Sequence, residues 1–195
     1  MACQMKKLGD FCTVMTGVPT GRARKLAEGQ VGIQVKVLSP RAMENGRIID
    51  GEIALETVSK VKEDFFTKVG DVLVKASTPY DCVYIDAEHQ GMLVTSFALI
   101  LRAKKGSILN MRYLAMYLNQ PQARERLQEL SIGVSLKLIK KAALEGMDVP
   151  IVPEAQQAQL VELCINTQKR KELCLKLIQE SDKLLQAEFS RIVLD

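Results

Sequence analysis

A single histidine and an odd five cysteines, with no C-x-x-C pair, are all this 195-residue chain offers for a Cys/His metal cluster or thiol redox chemistry. His89 cannot complete a Cys/His cluster with Cys3, Cys12, Cys82, Cys164 or Cys174, so the thiols read as reduced and structural. Long apolar runs are also missing: the longest, such as Phe97 to Leu101, are far too short to span a bilayer. Lys6 and Lys7 are followed by Leu8, Gly9 and Asp10, so no secretory signal is visible and a cytoplasmic protein is expected. No G-x-x-x-x-G-K-[ST] or G-x-G-x-x-G phosphate cradle occurs. Gly17-Val-Pro-Thr-Gly21 is rich in turn residues but lacks the downstream helix of a nucleotide site. Nothing resembles residues that bind S-adenosylmethionine or transfer a methyl group, so no cofactor is expected. After Pro153 the chain contains neither proline nor glycine.

What is present is enough for one core. Hydrophobic residues make up 47% of the chain and charged ones 26%, which excludes a disordered or fibrous class. The charge is uneven. Residues 1–150 carry 21 Lys+Arg against 16 Asp+Glu, while 151–195 carry 6 against 7, so the basic excess that suits a polyanionic partner lies in the first part.

Period-2 alternation in Val31 to Val37, with Val31, Ile33, Val35 and Val37 on one face, predicts a half-buried strand. Asp71 to Lys75, Cys82 to Ile85 and Leu93 to Leu101 are further predicted strands, too closely spaced for helical crossovers, so the sheet should be mixed or antiparallel. Helical spacing begins near Leu109 and runs to Leu118 with Asn110 as N-cap. Pro121 suits the first turn of a second helix, Gln122 to Leu130. A break at Gly133 and a third helix, Leu136 to Leu144, should follow. Strands then helices predict an α+β domain over 1–150.

Residues 151–195 differ. An unbroken helix from Glu154 to about Ile192 would be roughly 55 to 60 Å long at about 1.5 Å per residue. A heptad frame with Cys164, Lys171, Ile178, Leu185 and Ile192 at a puts Leu160, Thr167, Cys174, Ser181 and Glu188 at d. Leu163, Leu177 and Leu184 fall at g, with Leu175 and Phe189 at e. This widened stripe needs a cover, either its own domain or a partner helix; the alternative is a frayed, solvated tail.

Three polar or basic spots are candidates for nucleic-acid contact: Arg22, Arg24 and Lys25 after a turn; Lys75, Ser77, Thr78 and Tyr80 after a strand; and Lys104 with Lys105. They combine only if the fold brings them to one face. Asp81, Asp86 and Glu88 superficially resemble part of a metal-dependent nuclease set but lack the usual E-x-K lysine. His89, in the polar stretch Asp86 to Gly91, reads as a surface turn residue.

Several segments, in order, resemble one family. "KKLGDFCTVMTGVPT" (Lys6 to Thr20), "VGDVLVKAS" (Val69 to Ser77), "ILNMRYLAMYLNQPQARERLQELSIGVSLKLIKKAAL" (Ile108 to Leu144) and "MDVPIVPEAQQAQLVEL" (Met147 to Leu163) are similar to segments of the specificity subunits of type I restriction-modification systems. Two positions depart from that pattern: Val152 stands where a second proline is usual, and Lys75 where an arginine is common. The resemblance implies a non-catalytic DNA-recognition subunit, with one target-recognition domain and one spacer helix where the usual subunit has two of each. By the same resemblance, two copies would pair their helices antiparallel as a homodimer on double-stranded DNA. They would read a two-part palindromic site beside a methyltransferase subunit, which supplies S-adenosylmethionine and flips the target adenine, and a restriction subunit. The competing readings are a helical oligomerisation protein without DNA specificity, and a nuclease acting through Asp81, Asp86 and Glu88.

Overall fold

Apolar strand runs bounded by turn residues pair, in a computed structural model, into a mixed α+β domain followed by a long helix. The structure describes residues 4–19, 21, 32–59, 61–131 and 138–194. Among these, β2 (Cys12–Thr16), β10 (Ala98–Ala103), β7 (Val72–Lys75) and β8 (Cys82–Tyr84) form an antiparallel sheet in the order β2-β10-β7-β8. Val72, Leu73 and Val74 on β7, and Ala98 to Leu101 on β10, are buried on both faces, which is why they read as continuous apolar runs. Leu73, Val83, Ala98 and Ile100 pack with Leu38, Met43, Ile85 and Met92 into the main core cluster. Helix α2 (Met111–Leu118) packs on β7 and β8.

A second sheet, in the order β6-β3-β9, joins β3 (Ile33–Leu38) antiparallel to β6 (Ala54–Val58) and parallel to β9 (Leu93–Val94). Here two expectations change. The predicted strand Leu93 to Leu101 is two strands in two sheets, broken at Thr95–Phe97, because Leu93 and Val94 pair with β3 while Ala98 onward pairs with β2 and β7. An apolar run reports burial, not which neighbour a strand takes. The alternation on β3 is also only half realised: Val37 is buried, but Ile33 near the strand's start is 45% exposed.

Asn45 and Gly46 join β4 (Met43–Glu44) to β5 (Arg47–Ile48) with φ of 49° and 79°, the paired left-handed residues that a two-residue hairpin needs. At Gly17 the reason for glycine is proximity. A Cβ there would lie 2.2 Å from the Thr95 carbonyl oxygen, so the turn-rich Gly17 segment is a close backbone crossing.

The Asn110 cap is as expected: its Oδ1 accepts from the N–H groups of Arg112 and Tyr113 (2.9 and 3.2 Å), worth about 1 kcal/mol. Pro121 opens α3 (Pro121–Glu129) at its first turn. The third helix is shorter than predicted. Residues 132–137, including Gly133, lie outside the described residues, and Leu138 to Lys140 are non-helical because the Ile139 N–H donates to the Ala76 carbonyl (2.8 Å) before α4 (Lys141–Glu145) begins.

Pro150 lies in β11 (Asp148–Ile151), which among the described residues pairs only with β1 (Gln4–Lys7). A strand with one neighbour tolerates a residue without an N–H. Short α1 (Leu8–Phe11) follows β1. Pro153 immediately precedes α5 (Glu154–Leu194, 41 residues), and its carbonyl accepts from the N–H groups of Gln156 and Gln157 (2.8 and 3.0 Å). The chain divides into two compact units between Gln157 and Ala158. The physical reason is Gln157, 1% exposed. Its Oε1 accepts from the Asn110 N–H (2.7 Å), and its Nε2 donates to the carbonyls of Val152 (2.9 Å) and Ile108 (3.2 Å).

Candidate nucleic-acid interface

Strand register decides which polar loops meet. Lys75 at the end of β7 pairs with Ala98 at the start of β10, and Leu99 pairs with Thr16 at the end of β2. The Gly17 N–H donates to Ala98 O (3.0 Å), the Ala76 N–H to Phe97 O (2.8 Å), and the Ser96 N–H to Val18 O (2.9 Å). One end of the sheet therefore gathers the turn after β2, the Thr95–Phe97 turn and the loop between β7 and β8. Arg22, Arg24 and Lys25, further along the connection that leaves β2 at this end, lie outside the described residues. Lys104 and Lys105 follow the opposite end of β10, about 17 Å away along the strand at about 3.3 Å per residue. The Lys104 ammonium donates to the Gly9 carbonyl. The three spots thus do not share one end of the sheet.

Within the β7–β8 loop, Ser77, Thr78 and Pro79 are exposed, and the Thr78–Pro79 peptide is cis. Lys75 and Tyr80 do not stand free as the sequence suggested. Lys75 Nζ is 3.1 Å from Asp81 Oδ2, and Arg124 of α3 donates from NH2 to Asp81 Oδ1 (2.8 Å) and to Asn119 Oδ1 (3.1 Å). Tyr80, expected as a DNA contact, is 4% exposed. Its hydroxyl lies 2.7 Å from the Ser131 hydroxyl, and its backbone takes a φ of 57°. Apolar ring area favours burial once a partner exists for the hydroxyl, and Ser131 is that partner.

Two residues at this end escaped the sequence reading. Ser96 is exposed in the Thr95–Phe97 turn, and exposed Lys140 follows Ile139, which is bonded to Ala76. The Lys140-Lys141 doublet was a visible signal; Ser96 had none, because it sat inside a predicted strand.

The acidic residues weighed as a nuclease set are dispersed into other contacts. Asp81 is buried between two cations. Asp86 Oδ1 caps the turn N–H groups of Glu88 and His89 and lies 2.7 Å from His89 Nδ1, while His89 Nε2 is 3.2 Å from Asp50 Oδ1. Burial pushes the Asp86 carboxyl upward, but the hydrogen bonds and charge of His89 outweigh it and hold the group below its ordinary value. Among the described residues no group of three or more His, Cys, Asp or Glu could hold a metal. Asp71, 1% exposed, takes a two-pronged contact from Arg102 (2.8 and 2.7 Å), which raises the guanidinium pKa. The Asp of the Gly-Asp-Val-Leu stretch is thus a structural anchor.

Burial moves the Cys12 thiol up to about 12, against a smaller opposing effect of Lys104, and raises Cys82 further, so both stay protonated. On α5, Leu160, Leu163, Cys174, Leu177, Ile178, Leu184, Leu185 and Phe189 are exposed and Cys164 partly so; Leu177 is 69% exposed. No described helix is long and apolar enough to cross a membrane.

No protein-family model and no curated protein matches the sequence. Solved structures do. The fold is similar to the HsdS subunit from Thermoanaerobacter tengcongensis, with TM-score 0.55 and 15% identity over 86% of this chain and 37% of that one. A chain from a structure describing complex assembly and conformational transition of the type I R-M system gives TM-score 0.63 and 17% identity, over 97% of this chain and 43% of that one. The type I restriction-modification S subunit from M. genitalium gives 0.50 and 8%, over 92% and 44%. This chain therefore spans less than half the length of each of these three chains. At these identities the likeness is one of fold alone.

Proposed function

We infer that the chain is a sequence-specific DNA-recognition subunit of a type I restriction-modification complex, without catalysis of its own. The observation that carries this reading is the match of 86 to 97% of the chain to less than half of an HsdS subunit, a type I S subunit and a chain from a type I R-M system structure. Residues 1–150 would act as the target-recognition domain, reading one half of a two-part site through Ser77, Thr78 and the Arg22, Arg24 and Lys25 segment. Residues 151–195 would act as spacer and pairing helix. The apolar residues exposed on α5 supply a reason to pair: Leu and Phe side chains left in water cost roughly 25 cal/mol per Å² of apolar surface. A second copy paired through that helix supplies the missing half and makes the site symmetric. A methyltransferase subunit and a restriction subunit are the partners this arrangement serves.

The test is co-expression with a type I methyltransferase subunit from the same genome, followed by mapping of methylated adenines across that genome. A stable complex and a new two-part palindromic motif are expected. Absence of both a complex and any change in methylation refutes the reading. A complex that self-associates but leaves methylation unchanged instead indicates an interaction protein.

A further inference from the structure

The loop between β7 and β8 is held at more points than a surface turn needs. Its first residue is paired on both sides, since the Ala76 N–H donates to Phe97 O and the Ala76 carbonyl accepts from Ile139 (both 2.8 Å). The Lys75 N–H donates to Asp81 O (2.9 Å) across the base, and the Tyr80 N–H to Ser77 O (2.9 Å) within it. Two side-chain clamps complete the set. Asp81, 2% exposed, is held from α3 by Arg124 and from β7 by Lys75; Tyr80, in a left-handed conformation that disfavours a bulky residue, is tied to Ser131, whose hydroxyl also contacts Gln128 O (2.7 Å). Holding Arg124 there leaves its Nε buried with no partner among the described residues. What emerges is a three-residue tip, Ser77-Thr78-Pro79, whose two hydroxyl-bearing residues are exposed above a base held at these points.

Resting on the DNA-recognition reading, we propose that the Arg124–Asp81 and Tyr80–Ser131 clamps are positioning groups for sequence readout: they act through the Ser77–Pro79 tip, and discrimination between target and mismatched DNA depends on them. Hydroxyls discriminate base edges only when donor and acceptor positions are held, because a loop free to rearrange satisfies a mismatched edge nearly as well as the right one. The clamps lie on the domain side of the tip, so their loss relaxes selectivity while the electrostatic attraction common to all sequences persists.

The experiment uses the full chain in complex with its methyltransferase partner and compares Arg124→Met, Arg124→Lys and Tyr80→Phe with the parent. Binding is measured to a duplex carrying the mapped motif and to duplexes with one mismatch, each over a salt series. Asp81 keeps Lys75 as counter-charge in Arg124→Met, and Tyr80→Phe leaves no buried charge, so either variant carries the test if the other fails to fold. Expected is a loss of about tenfold or more in the ratio of target to mismatch affinity, in the range of one base contact, with non-specific affinity and salt slope unchanged, and recovery in Arg124→Lys. Folded variants that keep the parent ratio overturn the proposal. So does an equal fall on all duplexes with a shallower salt slope, which would make Arg124 a phosphate contact. If the parent itself reads no motif, the DNA-recognition reading fails first, which is a distinct result.

Discussion

Replacing Gln157 by leucine conserves side-chain volume and removes every hydrogen bond that this buried amide makes. The Asn110 N–H and the carbonyls of Ile108 and Val152 then lose partners at 2.7, 3.2 and 2.9 Å, beside a side chain only 1% exposed. Each such neutral bond contributes about 1 kcal/mol net, and each buried group left unsatisfied costs about 1–3 kcal/mol. The Asn110 N–H and the Ile108 carbonyl sit at the entrance to α2, where water has partial access, so the expected total is about 3–5 kcal/mol rather than the full sum. For a chain of this length that lowers Tm by roughly 10 °C. The control is next door: Gln156 is exposed, and Gln156→Leu should change stability by less than about 0.5 kcal/mol. Chemical denaturation with equal m-values, followed by far-UV circular dichroism, measures both. A loss below about 1 kcal/mol for Gln157→Leu refutes the reasoning, because the three groups would then be satisfied by solvent or by each other.

Gly17→Ala places a methyl carbon 2.2 Å from Thr95 O, and its three nearest atoms all belong to the Thr95 and Val94 backbone, so β2 or the Thr95 turn must shift; a loss of about 3 kcal/mol is expected by thermal melting, and a neutral effect would contradict the close crossing. Because the folded-state pKa of Asp86 is held below its ordinary value by His89, its stabilisation is fully present above about pH 4 and disappears as pH falls through the folded value. His89→Gln should therefore flatten the dependence of stability on pH below about 4. Identical acid limbs in urea titrations of parent and variant would exclude that linkage.

Much of the secondary structure was legible in the residues because its causes are local. Asn110 caps α2 through its own side chain, Pro121 opens α3, and the breaker-free run after Pro153 forms one helix of 41 residues. The Asn45-Gly46 hairpin was equally legible as a turn signal but was passed over between clearer strands. The pairing of β1 with β11 was not legible, since residues 4–7 find their ladder at 148–151, far along the chain, although Val149 and Ile151 alternate with Asp148 and Pro150. Nor was the break in Leu93 to Leu101, because both pieces are buried and burial alone carries no record of which sheet each joins. The candidate interface shows the same division. Ser77 and Thr78 were visible as a polar loop. That Lys75 is tied to Asp81, that Tyr80 is buried against Ser131, and that Ser96 and Lys140 stand at the same end of the sheet depend on contacts between distant segments.

Composition and periodicity alone determined an α+β unit, a basic first part and a long helix with an apolar stripe, because helix and strand periods, caps and breakers act over a few residues. Only the tertiary structure decided which polar residues remain free to meet a partner. A buried carboxylate must find cations and a buried hydroxyl must find a hydrogen-bond partner, and Asp81 found Lys75 and Arg124 from separate elements as Tyr80 found Ser131. The two prolines acquired their meaning in the same way. Pro150 lies in a strand whose only described neighbour is β1, and Pro153 offers its carbonyl to the first turn of α5, whose buried Gln157 carries the first unit past the second breaker.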